Sequence, residues 1–388
     1  MPIDSLLLYF GWGLFLFWIV MILPNAFAML PRTIVRMTDA LPDPAVWPSV
    51  SMIIPARDEG PKIEAALRSV LALQYPQLEL IAIDDRSQDD TGRIMDRLAA
   101  EDPRLHVIHI EQLPEGWLGK NHALHAGAQA ARGEYILFTD GDIHFAPDTI
   151  TRAVKYMEKT RADHLCIPPN MIPGSYMENA LIAYFILLFL LGTQPWLIPT
   201  RVRFAYAGVG AFNMLRRKSY EAFGGHVPIR LDVLDDVKLG KIVKRNGMRQ
   251  EILNADDRVM VKWQDSAWHV IRGLEKNGFS TMDYSIPKLL IVSTMTLIIT
   301  MGPYVGLFLI PSPAAWGYIA TLVFLLSIYA ILAHKSGSSA WVAPALPVAT
   351  LGMLFAFWRS AYVTFRQGGV KWRDTFYPLD LLRENIYR

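Results

Sequence analysis

The chain is poor in cysteine, in charge and in phosphate-binding glycine loops, and each shortage removes a class of function. One cysteine in 388 residues, Cys166, excludes an intrachain disulfide and a cysteine-ligated metal cluster. A lone thiol of this kind reads as a buried, reduced side chain in a reducing compartment. Charged residues make up 19% of the chain, where soluble domains average roughly a quarter. The 38 basic and 36 acidic residues leave a formal charge of +2, too little to mark a nucleic-acid partner. No G-x-G-x-x-G or G-x-x-x-x-G-K-[ST] loop follows a strand, which argues against dinucleotide and P-loop sites, and the G-x-S-x-G elbow of hydrolases is absent.

Long apolar runs take the place of charge. Residues 5–31 are uncharged and hold LLLYFGWGLFLFWIVMIL, enough for the roughly 20 residues that cross a bilayer core. The run is too long for a signal-peptide core and lacks a basic leader and a small-residue cleavage site, so it predicts one transmembrane helix. Between Lys288 and Lys335 only His334 can carry charge, which leaves room for two spans joined at Pro311-Ser312-Pro313, and residues 336–358 supply a third. The predicted organisation is a membrane helix at 1–31, an extramembrane domain at 32–285, membrane helices over 286–365 and a basic tail at 366–388.

One more apolar stretch, 179–200, interrupts the domain. Gly192, Pro195, Trp196 and Pro199 break its second half, and a crossing there would divide the acidic motifs between two sides of the membrane. It is expected to be interfacial or re-entrant, with a buried core helix as the plain alternative. Arg32 and Arg36 after the first helix place the domain in the cytoplasm. Three later crossings would then put the tail outside, yet Arg359, Arg366, Lys371, Arg373, Arg383 and Arg388 make it basic, as cytoplasmic segments are. The two inferences conflict unless one later segment fails to cross, and the Gly302-Pro303 break marks the first of them as the suspect.

Inside the domain short apolar runs alternate with helical periodicity. Residues 50–55 (VSMIIP) read as a buried strand, and 60–73 as a helix with Ile63, Leu67, Val70 and Leu71 on one face. Strands at 78–83, 105–110 and 134–138 and helices at 91–100 and 121–131 continue the pattern. This succession predicts an α/β fold, a mostly parallel sheet with helices on both faces, whose ligands collect outside the carboxyl ends of the strands.

Carboxylates stand at those ends: Pro55-Ala56-Arg57-Asp58-Glu59, Asp84-Asp85-Arg86-Ser87-Gln88-Asp89 and Thr139-Asp140-Gly141-Asp142. Any one such turn is ordinary, and Asp89-Asp90-Thr91 can serve only as a helix cap. Three along one edge point to a site. Asp140 and Asp142 offer hard oxygens suited to Mg²⁺ or Mn²⁺ held jointly with substrate phosphates, which fits a nucleotide diphosphate. His122 and His125 share a helix face but are assigned no metal, because such an ion prefers oxygen. A second pair, Asp235-Asp236, precedes Val237, Leu239, Ile242 and Val243 at helical spacing and so opens a helix, where capping is the plain reading.

In this order and spacing, P-A-R-D-E (55–59), D-D-R-S-Q-D-D-T (84–91), G-W-L-G-K (116–120), D-G-D (140–142), G-G-H (224–226) and L-D-D-V-K-L-G (234–240) resemble the family 2 glycosyltransferases of GT-A fold. The resemblance covers about residues 48–280, and the flanking helices make the chain similar to membrane-bound, lipid-glycosylating members of hopene-associated, carotenoid-type or ceramide glucosyltransferase-like kinds. It implies that Pro55, Ala56, Arg57, Glu59 and Asp85 hold the nucleotide of a UDP-sugar, with Asp140 and Gly141 beside the ribose. It implies Asp142, with Asp140, as ligand of the divalent ion, Lys120 as a cationic contact to the phosphates, and Asp236 as general base of an inverting displacement. The family commonly carries Glu-Asp here, so Asp235 stands where a glutamate is usual. Candidate acceptor contacts are Asp235, Gly225, His226, Trp263 and Trp268.

Processive relatives carry Gln-x-x-Arg-Trp after the base, and Gln264 starts no such motif, which favours transfer of one sugar. The implied protein is an integral enzyme of a bacterial inner membrane with a cytoplasmic catalytic domain. Its partners are a nucleotide sugar, a membrane lipid and the bilayer, with no nucleic acid. A processive polysaccharide synthase and a non-catalytic membrane protein with a sugar-nucleotide-binding domain are the alternatives.

Overall fold

A computed structural model of the chain describes residues 3–310 and 313–387. The expected junction at Pro311-Ser312 and the basic Arg388 lie outside the described residues. Two compact units emerge among the described residues: 28–170 with 195–261 and 385–387, and 3–27 with 171–194 and the described part of 262–384.

The strands of the α/β unit, in chain order, are β1 (Val50–Ala56), β2 (Leu78–Asp85), β3 (Leu105–Ile110), β4 (Tyr135–Phe138), β5 (His144–Phe145), β6 (His164–Cys166), β7 (Asn170–Met171, where the chain leaves this unit), β8 (Asn213–Arg216), β9 (Gln250–Ile252) and β10 (Val259–Val261). Seven form one sheet in the order β3-β2-β1-β4-β8-β6-β9. Pairs β1–β2, β2–β3, β1–β4 and β6–β9 are parallel, and β8 runs antiparallel between β4 and β6. The mostly parallel α/β sheet predicted from the sequence is therefore present. Every residue of β1 is buried, which is why it reads as a continuous apolar run rather than an alternating one.

The helix Gly119–Ala130 packs on β1 and β2, and Gly127 lets it come close: a Cβ there would lie 2.5 Å from the Ile53 side chain. Ile53, Ile81, Ile83, Ile136 and Phe138 form the core beneath it, and Leu124 of the helix packs into the same cluster. Truncating one of these, as in Ile53→Ala, is expected to cost about 2–5 kcal/mol through lost transfer energy and the cavity left behind. Two boundaries differ from expectation in ways that matter for the site. The helix starts two residues early, so Lys120 sits in its first turn, and β2 runs on to Asp85, so Asp84 and Asp85 belong to the strand itself.

The second unit is helical. Its long elements are Ile3–Met29, Tyr176–Thr193, Ile286–Thr296 continuing through Leu297–Met301 into Gly302–Leu309, Trp316–Lys335, and Ala340–Ala345 leading into Leu346–Gln367. Among the described residues five stretches are long and apolar enough to cross a membrane, including Tyr176–Leu197. The Gly302-Pro303 break does not end its helix. A π-helical turn at Leu297–Met301 absorbs it, and Pro303 falls in the first turn of the resumed helix, where a missing N–H is least costly.

The boundary of the α/β domain, expected at 32–285, is drawn differently. Residues 171–194 and 262–285 belong to the helical unit and take Trp263 and Trp268 with them. Trp263 packs on Phe185, and Arg359 lies over the ring of Trp268. The tail is ordered as a hairpin, β11 (Gly369–Trp372) and β12 (Thr375–Pro378), followed by a short helix at Leu379–Glu384.

Candidate active site

The carboxyl ends of β1 and β2 lie level, with Ala56 opposite Asp84. The turns beyond them place Asp58 and Arg86 at φ values of 54° and 59°, a left-handed geometry uncommon outside glycine. Hydrogen bonds between the two turns hold it. Asp58 N donates to Ser87 Oγ (3.1 Å), Gln88 N to Asp58 Oδ1 (2.8 Å), Glu59 N to Thr91 Oγ1 (2.9 Å) and Gly60 N to Asp89 Oδ2 (2.9 Å). Asp89, which sequence alone marks as a possible cap of its own helix, thus also ties down the start of the neighbouring one.

Asp84 accepts from Ser87 N at 3.1 Å and meets His109 Nδ1 at 3.0 Å. Asp85 is gripped by Arg86 through two contacts, Nε to Oδ1 at 2.8 Å and Nη2 to Oδ2 at 3.2 Å. Arg57 Nε stands 3.8 Å from Asp58.

The Asp140-Gly141-Asp142 turn follows β4 on the other side of β1. A Cβ on Gly141 would lie 3.1 Å from the Pro55 carbonyl, so Pro55, Ala56 and Gly141 stand back to back. The Asp142 carboxyl is pushed up to about 6, chiefly by burial, then by the charges of Asp140 and Glu59, with Lys62 opposing.

Lys120 joins this turn to the second acidic pair. Its Nζ is 2.8 Å from Asp140 and 3.4 Å from Asp235. Burial works against its charge, but Asp140, Asp235 and Asp236 together override that and hold the ammonium above its ordinary value. Asp235 and Asp236 open the helix Asp235–Arg245, and burial raises both carboxyls. Asp236 Oδ2 accepts from Gly210 N at 2.8 Å and Oδ1 from Val237 N at 2.7 Å. One small cavity is walled by Lys120, Asp140, Gly210, His226, Asp235 and Asp236.

His226, a candidate acceptor contact, is packed into the interior of the fold. It is 1% exposed, its Nδ1 lies 2.7 Å from Tyr220 Oη, and burial lowers its pKa to about 3. Gly225, at φ +61°, packs against the Tyr220 ring and serves the turn. The structure thus gathers Pro55, Ala56, Arg57, Glu59, Asp85, Lys120, Asp140, Gly141, Asp142, Asp235, Asp236, Gly225 and His226 in one unit, while Trp263 and Trp268 belong to the other.

A segment that sequence reasoning passed over is Gly208-Val209-Gly210. A Cβ on Gly208 would lie 1.7 Å from the Asp236 carbonyl oxygen, and one on Gly210 would lie 2.3 Å from Asp140 Oδ2. The available signal was a Gly-x-Gly two residues before a strand, which marks close backbone approach. Gly208→Ala is expected to abolish activity and lower Tm by several degrees, because backbone rather than a flexible side chain must move; a Tm and turnover equal to wild type would show that the loop can yield.

Lys120→Met should lower Tm as well, since Asp140, Asp235 and Asp236 lose their cation and the last two are already raised by burial. Carboxyls whose folded pKa exceeds the unfolded value destabilise the fold where they are ionised. The deficit is therefore expected to be largest at pH 8 and to shrink as pH falls toward 5.5, which thermal melts of variant and wild type at both pH values would check.

Comparison with known proteins agrees with this geometry. Residues 51–223 match the Glycosyl transferase family 2 sequence family. The chain is 25% identical over 199 residues to the 4,4'-diaponeurosporenoate glycosyltransferase of Staphylococcus haemolyticus, covering 51% of this chain and 52% of that protein. It is 32% identical over 110 residues to a protein of Bacillus subtilis described as a teichuronic acid biosynthesis glycosyltransferase, covering 28% and 42%. The chain thus spans about half the length of the curated relatives it matches. Among solved structures, a mannosyltransferase of Pyrobaculum calidifontis in complex with GDP-Man and Mn²⁺ superposes with a TM-score of 0.50 at 20% identity, covering 92% of this chain and 98% of that one. At that identity the likeness concerns the fold, which is of GT-A type.

Proposed function

We propose, from the match of residues 51–223 to the Glycosyl transferase family 2, that the chain moves a single sugar from a nucleotide-diphosphate sugar to a hydroxyl of a membrane lipid or isoprenoid-type acceptor. A UDP-sugar is our reading of the donor. The observation that carries the proposal is Lys120, which meets Asp140 of the nucleotide side and Asp235 of the base side across one cavity that Asp236 also lines.

On the donor side, Pro55, Ala56, Arg57 and Glu59 form the wall that would receive the base. Asp85, its orientation set by Arg86, keeps lone pairs for an imide or ribose hydroxyl. Among the described residues no cluster of three or more His, Cys, Asp or Glu side chains could hold a metal ion alone. Two hard carboxylates, Asp142 and Asp140, do fit an ion whose remaining ligands come from the donor's phosphates and water. Mg²⁺ or Mn²⁺ bound there would neutralise the charge that develops on the departing nucleotide diphosphate.

The remaining work falls to the chain itself. Lys120 holds Asp140 and Asp235 in place and offers its ammonium to the same wall. Asp236, fixed by the amides of Gly210 and Val237, takes the proton of the acceptor hydroxyl as that oxygen bonds to the anomeric carbon and the bond to the diphosphate breaks, with inversion. Burial moves the Asp236 pKa in the direction that suits a base near neutral pH.

The acceptor class is supported by the relative named for 4,4'-diaponeurosporenoate and by the five apolar helices. We read the chain as an integral protein of a bacterial inner membrane with its catalytic unit in the cytoplasm. Nucleotide release from a donor panel, measured on purified protein in nanodiscs with and without added membrane lipids and followed by mass spectrometry of the lipid, tests the proposal. Metal-dependent, lipid-dependent release is expected; its absence with every donor would overturn it.

A further inference from the structure

Among the described residues five stretches are long and apolar enough to span, but the tethering of their ends distinguishes three from the other two. Ile286–Leu309 and Trp316–Lys335 form a hairpin, closed where Gly306 packs against the Tyr318 ring, so Ile286 and Lys335 lie at the same end. The first helix lies alongside Trp316–Lys335 and runs in the same direction. Leu7 O accepts from Tyr318 Oη at 2.9 Å, and Phe15 meets Phe324 edge to face. Met29 therefore shares that end as well.

Residues 340–367 have the length to cross, about 33 Å for the 22-residue helix alone. Their tethers forbid it. At Gly337, φ +78°, the chain turns back, and 340–345 packs on the helix it has just left. At the far end, Ser360 Oγ donates to Glu275 O (2.6 Å) and accepts from Phe279 N (2.9 Å), while Arg359 pairs with Glu275 at 2.8 Å. Residues 275–285 run directly into Ile286. The segment thus begins beside the end of one crossing helix and finishes beside the start of another, and both points lie at the same end of the bundle.

Tyr176–Thr193 meets the same constraint by another route. Strand β8, which follows this helix, is hydrogen-bonded between β4 and β6, which precede it. A sheet cannot be divided by a bilayer, so both ends of the helix are on one side.

We propose that the chain crosses the bilayer three times, with 3–29, 286–309 and 316–335, and that 340–367 enters and leaves the membrane by the face on which Arg32 and Arg36 stand. The helix 346–367 then meets acyl chains of that leaflet with one stripe, Val348, Leu351, Phe355, Trp358, Tyr362 and Phe365. All six are exposed and spaced three or four residues apart, while Leu346, Ala349, Met353, Ala356 and Ser360 face the bundle. This places the hairpin β11–β12 and the basic tail inside, which removes the conflict between span count and charge. The segment that fails to cross is the last one, not the one carrying Gly302-Pro303. The proposal does not depend on the enzymatic reading.

The test uses the full chain with added cysteines at exposed positions, Cys166 being buried. A membrane-impermeant maleimide should label Pro313→Cys in intact spheroplasts, and Arg36→Cys, Arg201→Cys and Lys371→Cys only after permeabilisation. Labelling of Lys371→Cys in intact spheroplasts at the rate of Pro313→Cys would overturn the proposal. Fusions after residue 388 guard against a misfolded variant, because the two reporters give opposite signals: green fluorescent protein should fluoresce and alkaline phosphatase should be inactive, and the reverse result overturns it. A nitroxide at Leu351 or Phe355 should collide with oxygen in preference to a water-soluble nickel chelate; preference for the chelate would exclude lipid contact along the stripe.

Discussion

Asp236→Asn is expected to lower kcat by about 10²–10⁴-fold, the usual contribution of a positioned general base, while donor affinity stays near that of the wild type. The exchange keeps the side chain's size and one of the two backbone hydrogen bonds, from Gly210 N or Val237 N, and gives up the other, so a melting curve and a donor titration accompany the kinetics. What it removes is the group that takes the acceptor's proton. Asp235→Asn is the necessary partner variant, because Asp235 is 5% exposed, lies 3.4 Å from Lys120 and shares the cavity. A base at position 236 predicts a large kcat loss for Asp236→Asn and a smaller loss, weighted toward KM, for Asp235→Asn. The opposite ranking would transfer the base role to Asp235. Equal loss of donor binding and turnover in both would mark the pair as structural.

Asp142→Ala should act at a different stage. If Asp142 and Asp140 hold the divalent ion against the donor's diphosphate, the variant loses metal-dependent donor binding. Its turnover falls by roughly 10²–10³-fold, equivalent to the several kcal/mol such an ion contributes. Removing metal with EDTA should reduce the wild type to a similar level and have little further effect on the variant. Donor titrations by calorimetry, with and without Mn²⁺, separate this from unfolding, as does a melting curve. Asp142 is held up near 6 by burial and by Asp140 and Glu59, so alanine relieves repulsion and Tm should hold or rise. Unchanged metal-stimulated binding in Asp142→Ala would remove it from the metal site.

Much of this architecture is legible in the residues. Buried parallel strands announce themselves as unbroken apolar runs such as Met52-Ile53-Ile54, and ligand groups gather at strand ends because side chains there leave the packed interior. The carboxylates at 85, 140, 142, 235 and 236 are therefore visible before any coordinates are. Lys120 was visible as part of a motif, but its contacts with Asp140 and Asp235 were not, because they depend on a helix that starts two residues earlier than its apolar pattern suggests. The burial of His226 was not legible either, because nothing in its local sequence reveals that Phe138 and Tyr220 close over it.

The sequence by itself determined the alternation of strand and helix, the positions of the acidic clusters and the number of bilayer-length apolar stretches. These depend on periodicity and hydropathy over a dozen or two neighbouring residues. Tertiary structure decided what depends on distant partners. Gly208 must be glycine because the Asp236 carbonyl, 28 residues on, occupies the space a side chain would need. The last apolar stretch returns to its starting face because Ser360 and Arg359 are tied to Glu275, more than eighty residues earlier. Hydropathy measures whether a helix tolerates lipid, whereas only its tethers determine whether it crosses.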